Sequence, residues 1–172
     1  TNGGGIRATI NAGSVTKKDI NTVLPFGNTV AVVYVKGSEL LEALEASTYC
    51  TPEAVGGFPQ VSGIKFTVDT SVPFAQGEAY PKSTYYKPAA ISRVTIDSVN
   101  GKPFSLTDTY AVVTNNFVAA GGDTYYAFGS AADQFDTGIV MDEAIVEYVQ
   151  TQLGGVIKAS DYGTVKGNIT LK

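Results

Sequence analysis

Three short stretches carry residue types that suit chemistry on a flat, hydroxylated, anionic ligand. The first runs from Val112 to Tyr126 and reads Val-Val-Thr-Asn-Asn-Phe-Val-Ala-Ala-Gly-Gly-Asp-Thr-Tyr-Tyr. It leaves an apolar, β-branched strand, Tyr110 to Thr114, through Asn115, Asn116 and Phe117. It turns at Gly121-Gly122, where the backbone can take φ > 0 and approach another group, and presents the carboxylate of Asp123. An aromatic ring, a glycine turn and an acid in so few residues can stack a flat ring and accept hydrogen bonds from hydroxyls. A plain strand, loop and core Phe would produce the same pattern, so the stretch alone decides nothing.

The second stretch is Asn2-Gly3-Gly4-Gly5-Ile6-Arg7. Three consecutive Gly disfavour a regular helix or central strand. They predict a loop with open N–H groups, the makings of an anion nest. Arg7 follows with a planar fork suited to phosphate or carboxylate. The third is Pro25-Phe26-Gly27-Asn28, which sets an aromatic on a turn just before an apolar strand. A tight turn with a surface Arg, and a core Phe, are the competing readings of these two.

The elements that must position them follow from pattern. Thr16-Lys17-Lys18-Asp19 resembles a capping box and predicts a helix over Lys17 to Val23, stopped by Pro25. Thr29 to Lys36 predicts a buried strand. A helix is predicted from Glu39 to about Thr48, N-capped by Ser38, with Leu40, Leu41 and Leu44 inward and Glu39, Glu42 and Glu45 on a solvated face. Cys50, just beyond it, has no base partner and reads as a packed small residue. Ile64 to Asp69 alternates like a half-buried strand, and Thr70 to Pro88 reads as an extended insertion. Ala90 to Asp97 predicts a strand before an Asn100-Gly101 hairpin turn. Ala131 to Gly138 is loop-like. Asp142 to Leu153 predicts an amphipathic helix with Ile145, Val146, Val149 and Leu153 inward, ended by Gly154-Gly155, and a last short strand falls within Thr164 to Leu171. Interleaved helices and strands predict an α+β (mixed α/β) fold, one domain over residues 1–172 with a mixed β-sheet flanked by helices.

Composition narrows the function. With 172 residues, 44% hydrophobic and 16% charged, the chain can bury a sizeable core without staples. A net charge of −4, with Arg7 and Arg93 the only arginines, disfavours a nucleic-acid polymer as partner. There is no His, which excludes a Ser-His-Asp triad, a Cys-His pair and a His-containing metal site. One Cys forms no internal disulfide. No apolar run reaches transmembrane length, so no membrane contact is expected of this domain. The chain opens inside what looks like a motif and reads as a piece of something longer.

Taken together, Asn2-Gly3-Gly4-Gly5-Ile6-Arg7, Leu24-Pro25-Phe26-Gly27-Asn28, the Gly37 helix with Leu44-Glu45, Pro59-Gln60-Val61-Ser62-Gly63, and Asn116-Phe117 through Gly121-Gly122-Asp123 resemble, in order and spacing, the C-terminal domain of the 5′-nucleotidase family. That family includes ecto-5′-nucleotidases, UDP-sugar hydrolases and 2′,3′-cyclic phosphodiesterases. The resemblance implies a substrate-binding domain whose partner, an N-terminal metallophosphoesterase domain absent from this chain, holds two divalent metal ions and the catalytic residues. It implies that Phe26 and Phe117 sandwich a nucleobase, Asp123 binds ribose hydroxyls, Arg7 contacts phosphate and Asn2 reaches the base or nearby substrate atoms. No catalytic residue, metal site or cofactor is expected in this domain, and an extracellular, periplasmic or cell-wall location is implied. Thr124 stands where the family usually has Gly, which bears on the loop beside Asp123. A non-catalytic surface module binding nucleosides on the same scaffold is the alternative.

Overall fold

A computed structural model describes residues 1–172. The fold is mixed α/β, with its strands distributed over three sheets. In chain order the elements are a 3₁₀ turn at Gly3–Gly5, α1 (Lys17–Val23), β1 (Thr29–Lys36), α2 (Gly37–Ser47), β2 (Ile64–Val68), β3 (Gln76–Ala79), β4 (Tyr86–Pro88), β5 (Val94–Val99), β6 (Lys102–Pro103), β7 (Thr109–Asn115), α3 (Asn116–Ala119), α4 (Tyr126–Gly129), β8 (Asp133–Val140), α5 (Met141–Thr151), α6 (Ala159–Tyr162) and β9 (Ile169–Leu171).

β1 is the hub. Its β-branched run pairs antiparallel with β7 on one side and β8 on the other, so Val33 faces Val112 and Gln134. Alternation sends Ala31, Val33 and Val35 inward, where all three are buried with Leu40 and Leu44 of α2 and Val118 of α3. The second sheet, in the order β6-β5-β2-β9, closes the core from the other side with Phe66, Val68, Val94 and Ile96. It is mixed: β2 runs antiparallel to β5 and parallel to β9. Phe66 is fully buried at the centre of this layer, where truncation to Ala costs about 3–5 kcal/mol.

Several expectations hold. Thr16 and Asp19 form the capping box that starts α1. Asn100 (φ 50°) and Gly101 (φ 74°) make the hairpin turn, both in the left-handed region a type I′ turn requires. Others are corrected. α2 begins at Gly37, with Lys36 and not Ser38 at the N-cap position; Glu39 reaches back to accept the Lys36 N–H at 2.7 Å. Only Gly fits at position 37, because a Cβ there would lie 2.0 Å from the Ser105 carbonyl oxygen. Glu45 is not on a solvated face: it is fully buried and holds backbone N–H groups at the start of β5. Residues 70–88 contain the β3–β4 hairpin, docked through Tyr80, whose ring stacks on Tyr126 at 4.7 Å and whose hydroxyl donates to Glu42. The loop predicted over 131–138 is largely strand β8. Its residues are mostly exposed and do not alternate, so its pairing with β1 is a backbone effect that hydropathy patterning does not register. α5 is shorter and shallower than predicted: it ends at Thr151, Val146 and Val149 are half-buried and Ile145 is exposed, and Leu153, half-buried, lies beyond it.

Candidate functional site

Two chain turns meet above the β1–β7 end of the molecule. On one side α1 ends at Val23, and the chain turns through Pro25, Phe26 and Gly27 (φ 63°) into β1. Phe26 is 59% exposed, so it is not a core residue. On the other side β7 runs into the single turn of α3. Asn115 caps that turn by accepting the Val118 N–H at 2.8 Å. Phe117 projects from it with 45% of its surface exposed. One side of its ring is backed by Gly122: a Cβ there would sit 2.5 Å from Phe117 Cζ, so a glycine is required for the ring to lie where it does.

Asp123 follows with φ 51°, a left-handed conformation that Asp tolerates better than most residues. Its Oδ2 accepts from Asn2 Nδ2 at 2.7 Å, and Asn2 Oδ1 accepts from Asn115 Nδ2 at 3.2 Å. Asn2 is 4% exposed and Asn115 1%. A buried amide relay thus runs from the α3 cap to the Asp123 carboxylate and fixes its orientation. Tyr85 lies close enough to feel that carboxylate. Burial first, and the Asp123 charge second, push its hydroxyl pKa up.

The triple glycine behaves differently from the nest predicted for it. Gly3–Gly5 forms a 3₁₀ turn whose N–H groups are already committed. Gly3 donates to Phe58 O at 2.8 Å, Gly4 to Gly56 O at 2.7 Å, Gly5 to Asn2 O at 3.2 Å and Ile6 to Gly3 O at 3.0 Å. None is free for an anion. The glycines serve close packing instead, since a Cβ at Gly4 would stand 3.1 Å from the Gly56 backbone. The cationic group at this turn is Arg7, whose backbone N–H is tied to Val23 O at 2.8 Å and whose exposed guanidinium makes one 3.5 Å contact with Gly4 O.

Thr124 occupies an ordinary backbone conformation, for the left-handed residues of this loop are Gly121 and Asp123. Its side chain is buried against Gly57, where a Cβ would come within 2.9 Å of Thr124 Oγ1. The Thr124 side chain is therefore accommodated by the missing Cβ of Gly57 across the contact.

Asn2, Arg7, Phe26, Phe117 and Asp123 all line one open cleft of about 480 Å³, within the usual size range of small-molecule sites. Gly4, Gly5, Gly56 and Asn28 complete it. Asn28 was not singled out from sequence; the signal was its place at the end of the Pro-Phe-Gly-Asn turn. The cleft offers two exposed rings, one carboxylate and one guanidinium. No group of three or more metal-ligating side chains occurs, and no helix is long and apolar enough to cross a membrane. The arrangement can hold a flat ring beside hydroxyls and an anion; it has no nucleophile and base in contact.

Comparison with known proteins gives consistent results. Residues 1–130 match the family described as 5′-nucleotidase, C-terminal domain. The chain is 37% identical over 169 residues to the trifunctional nucleotide phosphoesterase protein YfkN of Bacillus subtilis, covering 96% of this chain and 10% of that one. It is 34% identical over 149 residues to a 5′-nucleotidase of Vibrio cholerae, covering 87% and 23%. The crystal structure of a 5′-nucleotidase precursor from Thermus thermophilus superposes with a TM-score of 0.77 at 35% identity, covering 99% of this chain and 30% of that one. The chain thus spans a tenth to under a third of the length of these proteins.

Proposed function

This chain belongs to the 5′-nucleotidase C-terminal domain family, and from that premise we propose that it is the substrate-binding domain of a nucleotide phosphoesterase. Phe26 and Phe117 stack on the base, Asp123 accepts from the ribose hydroxyls and Arg7 pairs with a phosphate oxygen. Asn2 stands one hydrogen bond behind, holding the Asp123 carboxylate toward the sugar. Hydrolysis belongs to a separate N-terminal metallophosphoesterase domain of a longer protein. Two divalent metals held there would activate the attacking water and stabilise charge on phosphorus. An extracytoplasmic location, outside or at the surface of a bacterial cell, goes with this reading.

The observation that supports it most is the pairing of two exposed Phe rings with a relay-held carboxylate in one cleft. An exposed aromatic costs solvation, and two flanking one acid suit ligand contact better than core packing. The test is a titration of the 172-residue chain with adenosine, followed by amide NMR. Shifts confined to Gly4, Gly5, Phe26, Asn28, Phe117 and Asp123 support the proposal. Absence of any shift at millimolar adenosine and AMP refutes it.

A further inference from the structure

We propose that Arg93 is a positioning residue for this cleft, acting through the loop 51–60 that braces the glycine turn. The inference rests on the functional reading above for its consequence and on separate geometry for its cause. Arg93 is 4% exposed, lies just before β5 and is not among the residues that line the cleft. Its guanidinium takes the carbonyls of Thr48 at 2.6 Å, Tyr49 at 2.9 Å and Thr51, the segment leaving α2. Glu45, on α2, makes the reciprocal grip. Its carboxylate accepts from the N–H groups of Ser92 at 3.2 Å, Arg93 at 3.1 Å and Val94 at 2.8 Å. The only side-chain ion pair within 4.0 Å in the chain is Lys87–Glu42. Glu45 and Arg93 are therefore each solvated by peptide dipoles of the other's segment and not by one another.

This crossed grip fixes where loop 51–60 begins. The far part of the loop is what the glycine turn rests on. Phe58 O and Gly56 O accept from Gly3 and Gly4, and Gln60 N donates to Thr1 O at 2.7 Å. On its other side, Gly57 O accepts from Tyr125 Oη at 2.8 Å, two residues beyond Asp123. The loop is thus wedged between the N-terminal segment that carries Asn2, which bridges to Pro59, and the turn that carries Asp123, and its height sets the 2.7 Å contact between them. Three buried side-chain polar atoms lack any partner, Thr51 Oγ1, Arg93 Nε and Thr124 Oγ1, and all belong to this loop or touch it.

The test uses Arg93→Lys and Arg93→Met in the full 172-residue chain, with two readouts. Lys keeps the charge but replaces the planar fork, whose two terminal nitrogens separately reach Thr48 and Tyr49 on one side and Thr51 on the other, with a single point donor. Amide exchange at Gly3 and Gly4 reports the brace directly, with Val33 and Val35 of β1 as the internal measure of global folding. Arg93→Lys is expected to speed Gly3 and Gly4 exchange at least tenfold while Val33 and Val35 keep their protection, and to weaken adenosine at least fivefold. Methylguanidinium added to Arg93→Met should slow Gly3 and Gly4 exchange again. Unchanged exchange at both glycines in the folded variants overturns the proposal. So do variants that lose protection at Gly3, Gly4, Val33 and Val35 together, because Arg93 then serves global stability. Should the parent chain bind no adenosine, the functional reading fails while the exchange data still decide the brace.

Discussion

At the scale of single residues, the two Phe rings are the decisive case. Truncating a buried Phe to Ala costs about 3–5 kcal/mol of stability, whereas Phe26 and Phe117 expose 59% and 45% of their surface. Phe26→Ala and Phe117→Ala should therefore melt close to the parent and lose adenosine binding. Stacking contacts are worth about 1–3 kcal/mol each. With Asp123 on the ribose, a net of roughly 4–6 kcal/mol gives a dissociation constant near millimolar or somewhat tighter. Loss of binding together with fold would return both rings to a packing role. Gly122 gives an independent handle on the same ring. Its added Cβ would strike Phe117 Cζ at 2.5 Å, so Gly122→Ala must displace the ring. We expect adenosine affinity to fall as far as in Phe117→Ala, with a stability cost of about 1–3 kcal/mol. Unaltered binding would show that the ring's present position is not the one that binds.

Arg7 is the complementary residue. It is exposed and makes a single long contact to Gly4 O. Arg7→Ala should shift stability by no more than about 0.5 kcal/mol, as surface changes generally do, and should remove any preference for AMP over adenosine. A loss on the order of 3 kcal/mol would place the guanidinium in a buried pair and end its assignment to phosphate. These residues were legible in sequence because glycines, aromatics and one acid recur in fixed short motifs. The use of the glycines was not. Their N–H groups look free in sequence, but those of Gly3 and Gly4 are consumed by Phe58 and Gly56, residues more than fifty positions away, and that of Gly5 by Asn2 within the turn.

At the scale of elements, α1 shows how local chemistry reaches the cleft. The capping box at Thr16 and Asp19 starts the helix, and its last residue, Val23, accepts the Arg7 N–H. Thr16→Ala should cost about 0.5–2 kcal/mol and quicken amide exchange at Arg7, with adenosine binding to Phe117 and Asp123 retained. The box also sets a pH dependence. Hydrogen bonds from the Thr16 side chain and then its backbone hold the Asp19 carboxyl below the usual carboxylate range. Asp136 is lowered in the same way by the Gly138 N–H and then the Thr29 hydroxyl. Carboxyls depressed in the folded state stabilise above the unfolded value, about pH 4, and lose that contribution as pH falls through the folded value. Protection against exchange, measured relative to the intrinsic rate at each pH, should therefore be lost first at α1 and at the β1–β8 edge on acidification. Edges that loosen only with the core would deny these carboxylates a local role. Elements with an apolar period or a cap were legible: β1, α1, β2 and β9. β8 and the β3–β4 hairpin were not, since their backbone pairing and Tyr80 docking are set by tertiary partners. Nor was the burial of Glu45, which depends on N–H groups presented by β5.

At the scale of the whole molecule, the division of labour can be tested. The chain covers 10% of its Bacillus relative and 30% of its Thermus structural neighbour, so most of such proteins lies outside it. Phosphoester hydrolysis needs an activated water or nucleophile, a base, and positive charge on the phosphoryl oxygens. The cleft supplies one exposed guanidinium and a carboxylate already engaged by Asn2. The sequence has no His, and no three Asp, Glu or Cys side chains converge to hold a metal. Binding energy without that machinery stabilises ground state and transition state alike and leaves the barrier where it was. The isolated chain should therefore release neither phosphate from AMP nor nitrophenol from bis-p-nitrophenyl phosphate in the presence of Mn²⁺, even at concentrations that saturate it with adenosine. Turnover that co-purifies with the chain and disappears in Asp123→Asn would show that the cleft is itself catalytic and that the proposed separation of binding from chemistry is wrong.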